Sequence, residues 1–211
     1  MLPGFRGEGC IIPLVSEAPL PLQISPEPTS PGGPGWLRLL AEVVQTVLIA
    51  GALFLLVNLL TARIRVEGNS MEPSLHDGEF VVVNRLAYRW NPAERGDIIV
   101  FRFPLDPSRR FIKRIVALPG DMIQVIEGQV YVNGLVLDEP YTAAAPRYAG
   151  EWELADGEVF VLGDNRNNSE DSHEWGPLPL QNVIGKAILV YWPVGEIGVI
   201  PHIGVASAAG N

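Results

Sequence analysis

The run Arg110-Phe111-Ile112-Lys113-Arg114-Ile115-Val116-Ala117-Leu118-Pro119-Gly120-Asp121 reads as one strand and its stop signal. Phenylalanine and β-branched residues suit a pleated surface. Pro119-Gly120-Asp121 then breaks the extended run. In a strand, alternate side chains share a face. Lys113 therefore lies with Phe111 and Ile115, while Arg114 points the other way.

The same grammar repeats outward from this run. Upstream, Arg63-Ile64-Arg65-Val66 alternates polar and apolar, Glu79 to Asn84 follows an Asp77-Gly78 turn, and Asp97 to Phe103 follows Arg95-Gly96. Downstream, Met122 to Ile126 and Gln129 to Val132 flank Glu127-Gly128 as a hairpin would, and Asn133-Gly134 signals another turn. Glu158 to Leu162 and Ala187 to Trp192 complete the strands. Many short strands with Gly, Pro and Asn punctuation predict a mainly β fold, with an all-β domain over residues 63–211. Residues 137–156, with their Ala143-Ala144-Ala145-Pro146 stretch, read as an excursion from it. The expected inserted β subdomain covers about residues 122–157.

Before the β region the composition changes. Leu37 to Thr61 is apolar, and no charge falls between Glu42 and Arg63. That meets the roughly 20 residues needed to cross a hydrocarbon core. Trp36 suits the interface. A buried core helix seldom stays uncharged for this length. A cleaved leader would start earlier and carry a small-residue cleavage pattern. We read residues 36–62 as a single transmembrane anchor. Arg6 and Arg38 precede it and Arg63 and Arg65 follow it, so charge alone gives no orientation. Residues 1–35, rich in Pro, Gly and Ser, read as a disordered tail.

The chain has 211 residues, a formal net charge of −9 and one cysteine, Cys10. The acidic balance argues against nucleic-acid binding, and one cysteine excludes an intrachain disulfide or a cysteine metal cluster. The histidines, His76, His173 and His202, lack the spacing of a helical zinc motif. No metal or organic cofactor is expected.

Two further stretches carry chemistry. Gly68-Asn69-Ser70-Met71-Glu72-Pro73 holds a hydroxyl among turn-forming residues. Gly163 to Gly176, GDNRNNSEDSHEWG, is a polar loop directly after an apolar strand. Such a loop can fix neighbouring groups by hydrogen bonding. Only Lys113 and Lys186 are lysines in a chain that otherwise uses arginine. A lysine on an apolar strand face loses hydration in its charged form, so its pKa falls and it can act as a base.

With these residues in view, the chain resembles the bacterial type I signal peptidases, membrane-anchored serine proteases with a Ser-Lys dyad. Four blocks match in order: Ser70 to Leu75, Arg95 to Phe101, Lys113 to Asp121, and the Gly163 to Gly176 loop. The resemblance runs from about Trp36 to about Pro193. It implies Ser70 as nucleophile and Lys113 as general base. It implies that Ser169 hydrogen-bonds the lysine and that Asp171 supports the site through an ion pair. His173 stands where many members have arginine, which makes that pair pH-dependent. Gly68 stands where some members carry a serine that assists the oxyanion hole. The Ser70 N–H would then take more of that task.

The implied substrates are secretory preproteins with small residues at the first and third positions before the cut. Ile64, Val66, Met71, Phe111 and Ile112 are the residues expected around those pockets. The implied location is the bacterial inner membrane, with the domain on the outer face and no obligate protein partner. A Ser70-His173-Asp171 triad is the enzymatic rival. Asp and His two residues apart rarely support each other as triads do, and there is no Gly-x-Ser-x-Gly elbow. A self-cleaving repressor would need a DNA-binding domain in place of the span. An anchored peptide-binding β domain is the non-enzymatic rival.

Overall fold

The computed structural model describes residues 35–202. Most of the segment read as a tail lies outside them. The apolar run forms one helix, α1 (Gly35–Leu60), of 26 residues. By length and composition it can cross a membrane, and none of its span is buried in the protein. It starts at Gly35 and stops short of the expected end, because Thr61 and Ala62 already belong to a strand.

Twelve strands follow among the described residues: β1 (Thr61–Arg65), β2 (Phe80–Asn84), β3 (Ile98–Arg102), β4 (Arg110–Ala117), β5 (Met122–Ile126), β6 (Gln129–Val132), β7 (Leu135–Val136), β8 (Gly150–Glu153), β9 (Glu158–Leu162), β10 (Leu178–Pro179), β11 (Val183–Trp192) and β12 (Gly198–Val199). Two one-turn helices, α2 (Ala87–Trp90) and α3 (Ser172–Trp175), join them. All pairings are antiparallel. The larger sheet runs β1-β2-β11-β3-β4-β9-β10, with β12 on β11, and the smaller runs β7-β6-β5-β8. β7, β8, β10 and β12 were not anticipated. Each is short, and two or four residues carry too little alternation to read.

The turns formed as their residues dictate. Glu127 and Gly128 have φ of 50° and 78°, and Asn133 and Gly134 have 52° and 79°. Two consecutive positive φ values give the tight hairpin turn whose twist matches the flanking strands. Glycine takes the second position of each at no steric cost.

Residues 122–153 supply the smaller sheet, inserted between β4 and β9. Its core is shared. Ile123, Val125, Val130 and Val132 pack with Val116, Ala117, Phe160 and Leu162 of the larger sheet in one apolar cluster. Strand β4 is the centre of the arrangement. It is buried from Ile112 to Ala117, with Ile112 in one cluster with Val66, Met71, Leu75 and Val100. Ile115 faces another, with Ile99, Phe101, Val161 and Leu178.

Candidate active site

The loop from β1 to β2 carries Ser70. Met71 and Leu75 are fully buried beneath it and anchor its turn in the core. The Leu75 N–H donates to the Met71 carbonyl at 2.9 Å, and the Gly78 N–H to the Val66 carbonyl at 3.0 Å. Gly68 has φ of 80°. Its N–H donates to Asp77 Oδ1 at 2.8 Å, which closes the loop and occupies that amide. Among the described residues the Ser70 N–H makes no backbone hydrogen bond.

Lys113 comes from β4, opposite Ile99 of β3 in register. Its Nζ lies 2.6 Å from Ser70 Oγ in a hydrogen bond. The Phe111 ring centroid lies 5.5 Å from Nζ, as the shared strand face predicts. Lys113 is 4% exposed. Loss of hydration lowers its pKa from 10.5 to about 8, against the opposing pull of Asp171, Glu170 and Asp164.

The polar loop after β9 holds the Ser70 turn from the other side. The Asn165 N–H donates to the Ser70 carbonyl at 3.1 Å, and Asn165 Nδ2 to the Asn69 carbonyl at 3.1 Å. A β-carbon on Gly163 would overlap the Ser70 carbonyl oxygen and the Ser169 hydroxyl. Only glycine lets the two loops approach this closely.

Asp171 is fully buried. Its Oδ2 accepts from the Gly163 N–H at 2.9 Å. Its Oδ1 accepts from the His173 N–H at 3.2 Å and bonds His173 Nδ1 at 2.6 Å. Asp171 thereby caps α3. The hydrogen bond to Asp171 raises the His173 pKa against the opposing effect of burial. Tyr148 stacks on the imidazole with centroids 3.8 Å apart and planes 10° from parallel.

Several expected residues stand elsewhere than anticipated. The Ser169 hydroxyl is buried but makes no hydrogen bond among the described residues, so its expected bond to Lys113 is not formed. A cleft of about 210 Å³ beside the serine and lysine is lined by Ile64, Phe111 and Ile112. Val66 and Met71 do not line it. Each is at most 1% exposed, turned into the core beneath the serine loop. Val100 takes part instead, and Arg65, Glu67, Arg110 and Glu170 give the cleft a charged rim.

The sequence reading missed the supports behind the site. Arg114, on the face opposite Lys113, grips buried Asp164 through two hydrogen bonds of 2.8 and 2.7 Å. It also donates to the Gly96 carbonyl and to Ser74 Oγ. Arg166 is paired with Glu139, and Arg95 with Asp121. Arg114, a charge inside an apolar strand, was the available signal; Asp164, Arg166, Glu139, Arg95 and Asp121 lie in loops. Lys186, the other lysine, pairs with buried Asp97.

A desolvated lysine hydrogen-bonded to a serine hydroxyl, beside a shallow apolar cleft, is a group of atoms that can deprotonate an alcohol for attack on a carbonyl. Comparison with known proteins points the same way. The family model "Signal peptidase, peptidase S26" matches residues 37–192. The chain is 39% identical to a probable signal peptidase I-2 of Synechocystis, over 84% of this chain and 83% of that protein. It is 38% identical to a signal peptidase I of Leptolyngbya laminosa, over 87% and 94%. It is 35% identical to a probable thylakoidal processing peptidase 2, chloroplastic, of Arabidopsis thaliana, over 89% and 54%. The chain belongs to the signal peptidase family, peptidase S26, and is a peptidase.

Proposed function

We propose that this chain, anchored by α1, removes signal peptides from secretory preproteins by a Ser70-Lys113 dyad, cutting after small residues. The observation that carries the mechanism is the 2.6 Å hydrogen bond between Ser70 Oγ and Lys113 Nζ. A lysine with a pKa of about 8 is neutral in a useful fraction of molecules near neutral pH.

In this mechanism, neutral Lys113 takes the proton of Ser70 Oγ, and the oxygen attacks the scissile carbonyl. The carbonyl oxygen becomes an oxyanion, which the Ser70 N–H stabilises. The Gly68 N–H is held by Asp77 and contributes nothing there. The lysine returns its proton to the leaving amine and an acyl-enzyme remains. Lys113 then takes a proton from water, hydroxide attacks the ester, and Ser70 regains its proton. Asp171, held by Gly163 and His173, fixes the loop that presses on Ser70.

The apolar walls of the cleft, Ile64, Val100, Phe111 and Ile112, support a preference for short apolar side chains. Strand β1 is an edge of the larger sheet, so an extended substrate can add to it through main-chain hydrogen bonds. The proposed setting is a bacterial inner membrane with the domain on the outer face.

The test is cleavage of a preprotein in detergent by wild type, Lys113→Ala and His173→Ala, with Ser70→Ala as the blank. The product's new N-terminus is sequenced. Lys113→Ala at the level of the blank, substantial activity in His173→Ala, and small residues before the cut are expected. An inactive His173→Ala beside an active Lys113→Ala would overturn the dyad.

A further inference from the structure

One groove in the described domain has no part in this chemistry. It has a volume of about 720 Å³, within the range of small-molecule sites. Its floor includes Leu86, Leu180, Val183 and Ile184, and its rim carries Arg85 and Arg89. The chain has a net charge of −9, yet among the described residues no Asp or Glu lines this groove. Arg85 and Arg89 are exposed, and neither pairs with a carboxylate among the described residues. The Tyr88 hydroxyl of the same wall is tied to Asp97 Oδ2 at 2.8 Å, so the wall is fixed.

The groove also has a defined place along the chain. The Arg85 N–H donates to the carbonyl of Leu60, the last residue of α1, at 3.1 Å. An apolar helix that ends there, followed by Arg63 and Arg65, puts the bilayer boundary at that point. Arg85 is therefore held at headgroup depth. Trp90, at the end of α2, is 75% exposed, a residue type that favours the membrane interface.

We infer that this groove binds an anionic phospholipid, with Arg85 and Arg89 on the headgroup phosphate and an acyl chain along Leu86, Leu180, Val183 and Ile184. Arginine is suited to phosphate because its planar fork donates two parallel hydrogen bonds. The apolar floor gives the acyl chain a surface that a free phosphate would leave bare. The inference rests on α1 being a membrane anchor and is independent of the dyad.

The experiment uses the full-length chain in a neutral detergent. Native mass spectrometry counts bound phosphatidylglycerol against phosphatidylcholine, with soluble glycerol phosphate as competitor. Wild type is expected to retain phosphatidylglycerol about tenfold better, since each basic residue near an anionic headgroup favours binding. Arg85→Gln/Arg89→Gln should lose the preference, and Arg85→Lys/Arg89→Lys should recover much of it. Arg63→Gln/Arg102→Gln, which removes as much charge outside the groove, should keep it. Equal retention of both lipids, equal loss in both glutamine pairs, or full displacement by glycerol phosphate would overturn the inference. Alkaline carbonate extraction of membranes separates the two readings. A chain that washes off has no anchor, whereas a chain that stays but shows no lipid preference refutes the groove alone.

Discussion

Gly163 lies against the Ser70 carbonyl so closely that a β-carbon there has no room. This contact sets the position of the proposed nucleophile from a loop about 90 residues further along the chain. Gly163→Ala must push the Ser70 turn, the Ser169 hydroxyl or both. Misplacing a reacting atom by about 1 Å costs on the order of 100-fold in rate. The expected result is a fall of that size in kcat for preprotein cleavage, with a native far-UV spectrum. Wild-type turnover would show that the two loops yield without disturbing Ser70.

Lys113 should be a stability liability as well as a base. Its pKa falls to about 8 in the fold from 10.5. Below pH 8 the folded state holds a charge it has poorly hydrated, so folding is weakened. As pH rises from 8 to 10.5 the folded lysine is neutral while the unfolded one still binds a proton, so stability rises. Lys113→Met is expected to be inactive yet more stable than wild type at pH 7, by ~1–3 kcal/mol. The difference should shrink across that window. Thermal or denaturant melts at pH 7 and pH 10 check it.

As the proposed base, the same group should set the acid limb of activity. kcat/KM should rise with pH through about 8 as Lys113 loses its proton. His173 should tune that limb through its contact with Asp171. Its pairing stabilises the fold below its ordinary pKa of 6.5 and is lost as pH rises through the raised folded value. Without the imidazole, the Asp171 charge is less compensated and holds the Lys113 proton more firmly. His173→Ala should therefore move the limb to higher pH, and His173→Arg should restore it toward wild type. A His173→Ala profile that coincides with wild type would remove His173 from the electrostatics of the site.

Arg114 and Asp164 are each 1% exposed. Breaking a buried pair strands a charge and costs about 3–5 kcal/mol. Arg114→Met is expected to lose stability on that scale, because buried Asp164 is left without its partner and the four hydrogen bonds of the guanidinium disappear. Arg114→Met/Asp164→Leu should recover much of the loss. A urea titration of the single and double variants reads the difference, and additive losses would show that the pair is not coupled.

The β class was legible because turn chemistry and period-2 alternation are local properties. Glu127-Gly128 and Asn133-Gly134 announced their hairpins, and Arg110 to Ala117 its strand. The apolar run before Arg63 announced α1 by length alone. Short pieces such as Leu135–Val136 and Leu178–Pro179 were not legible, because pairing with longer strands and not their own pattern makes them strands.

The amino-acid sequence by itself determined which residues face together along one element. It put Lys113 with Phe111 on an apolar strand face and Ser70 in a turn. Only the tertiary structure decided which elements meet. Ser70 and Lys113 are 43 residues apart, and alternation says which face a side chain takes, not which loop comes to lie over it. For the same reason Val66 and Met71, apolar and near the serine in sequence, went into the core. Val100, Arg110 and Glu170, distant in sequence, came to line the cleft. Burial is a property of the assembled sheets. The lysine's lowered pKa, the Arg114 pair and the crowding at Gly163 exist only once they close around β4.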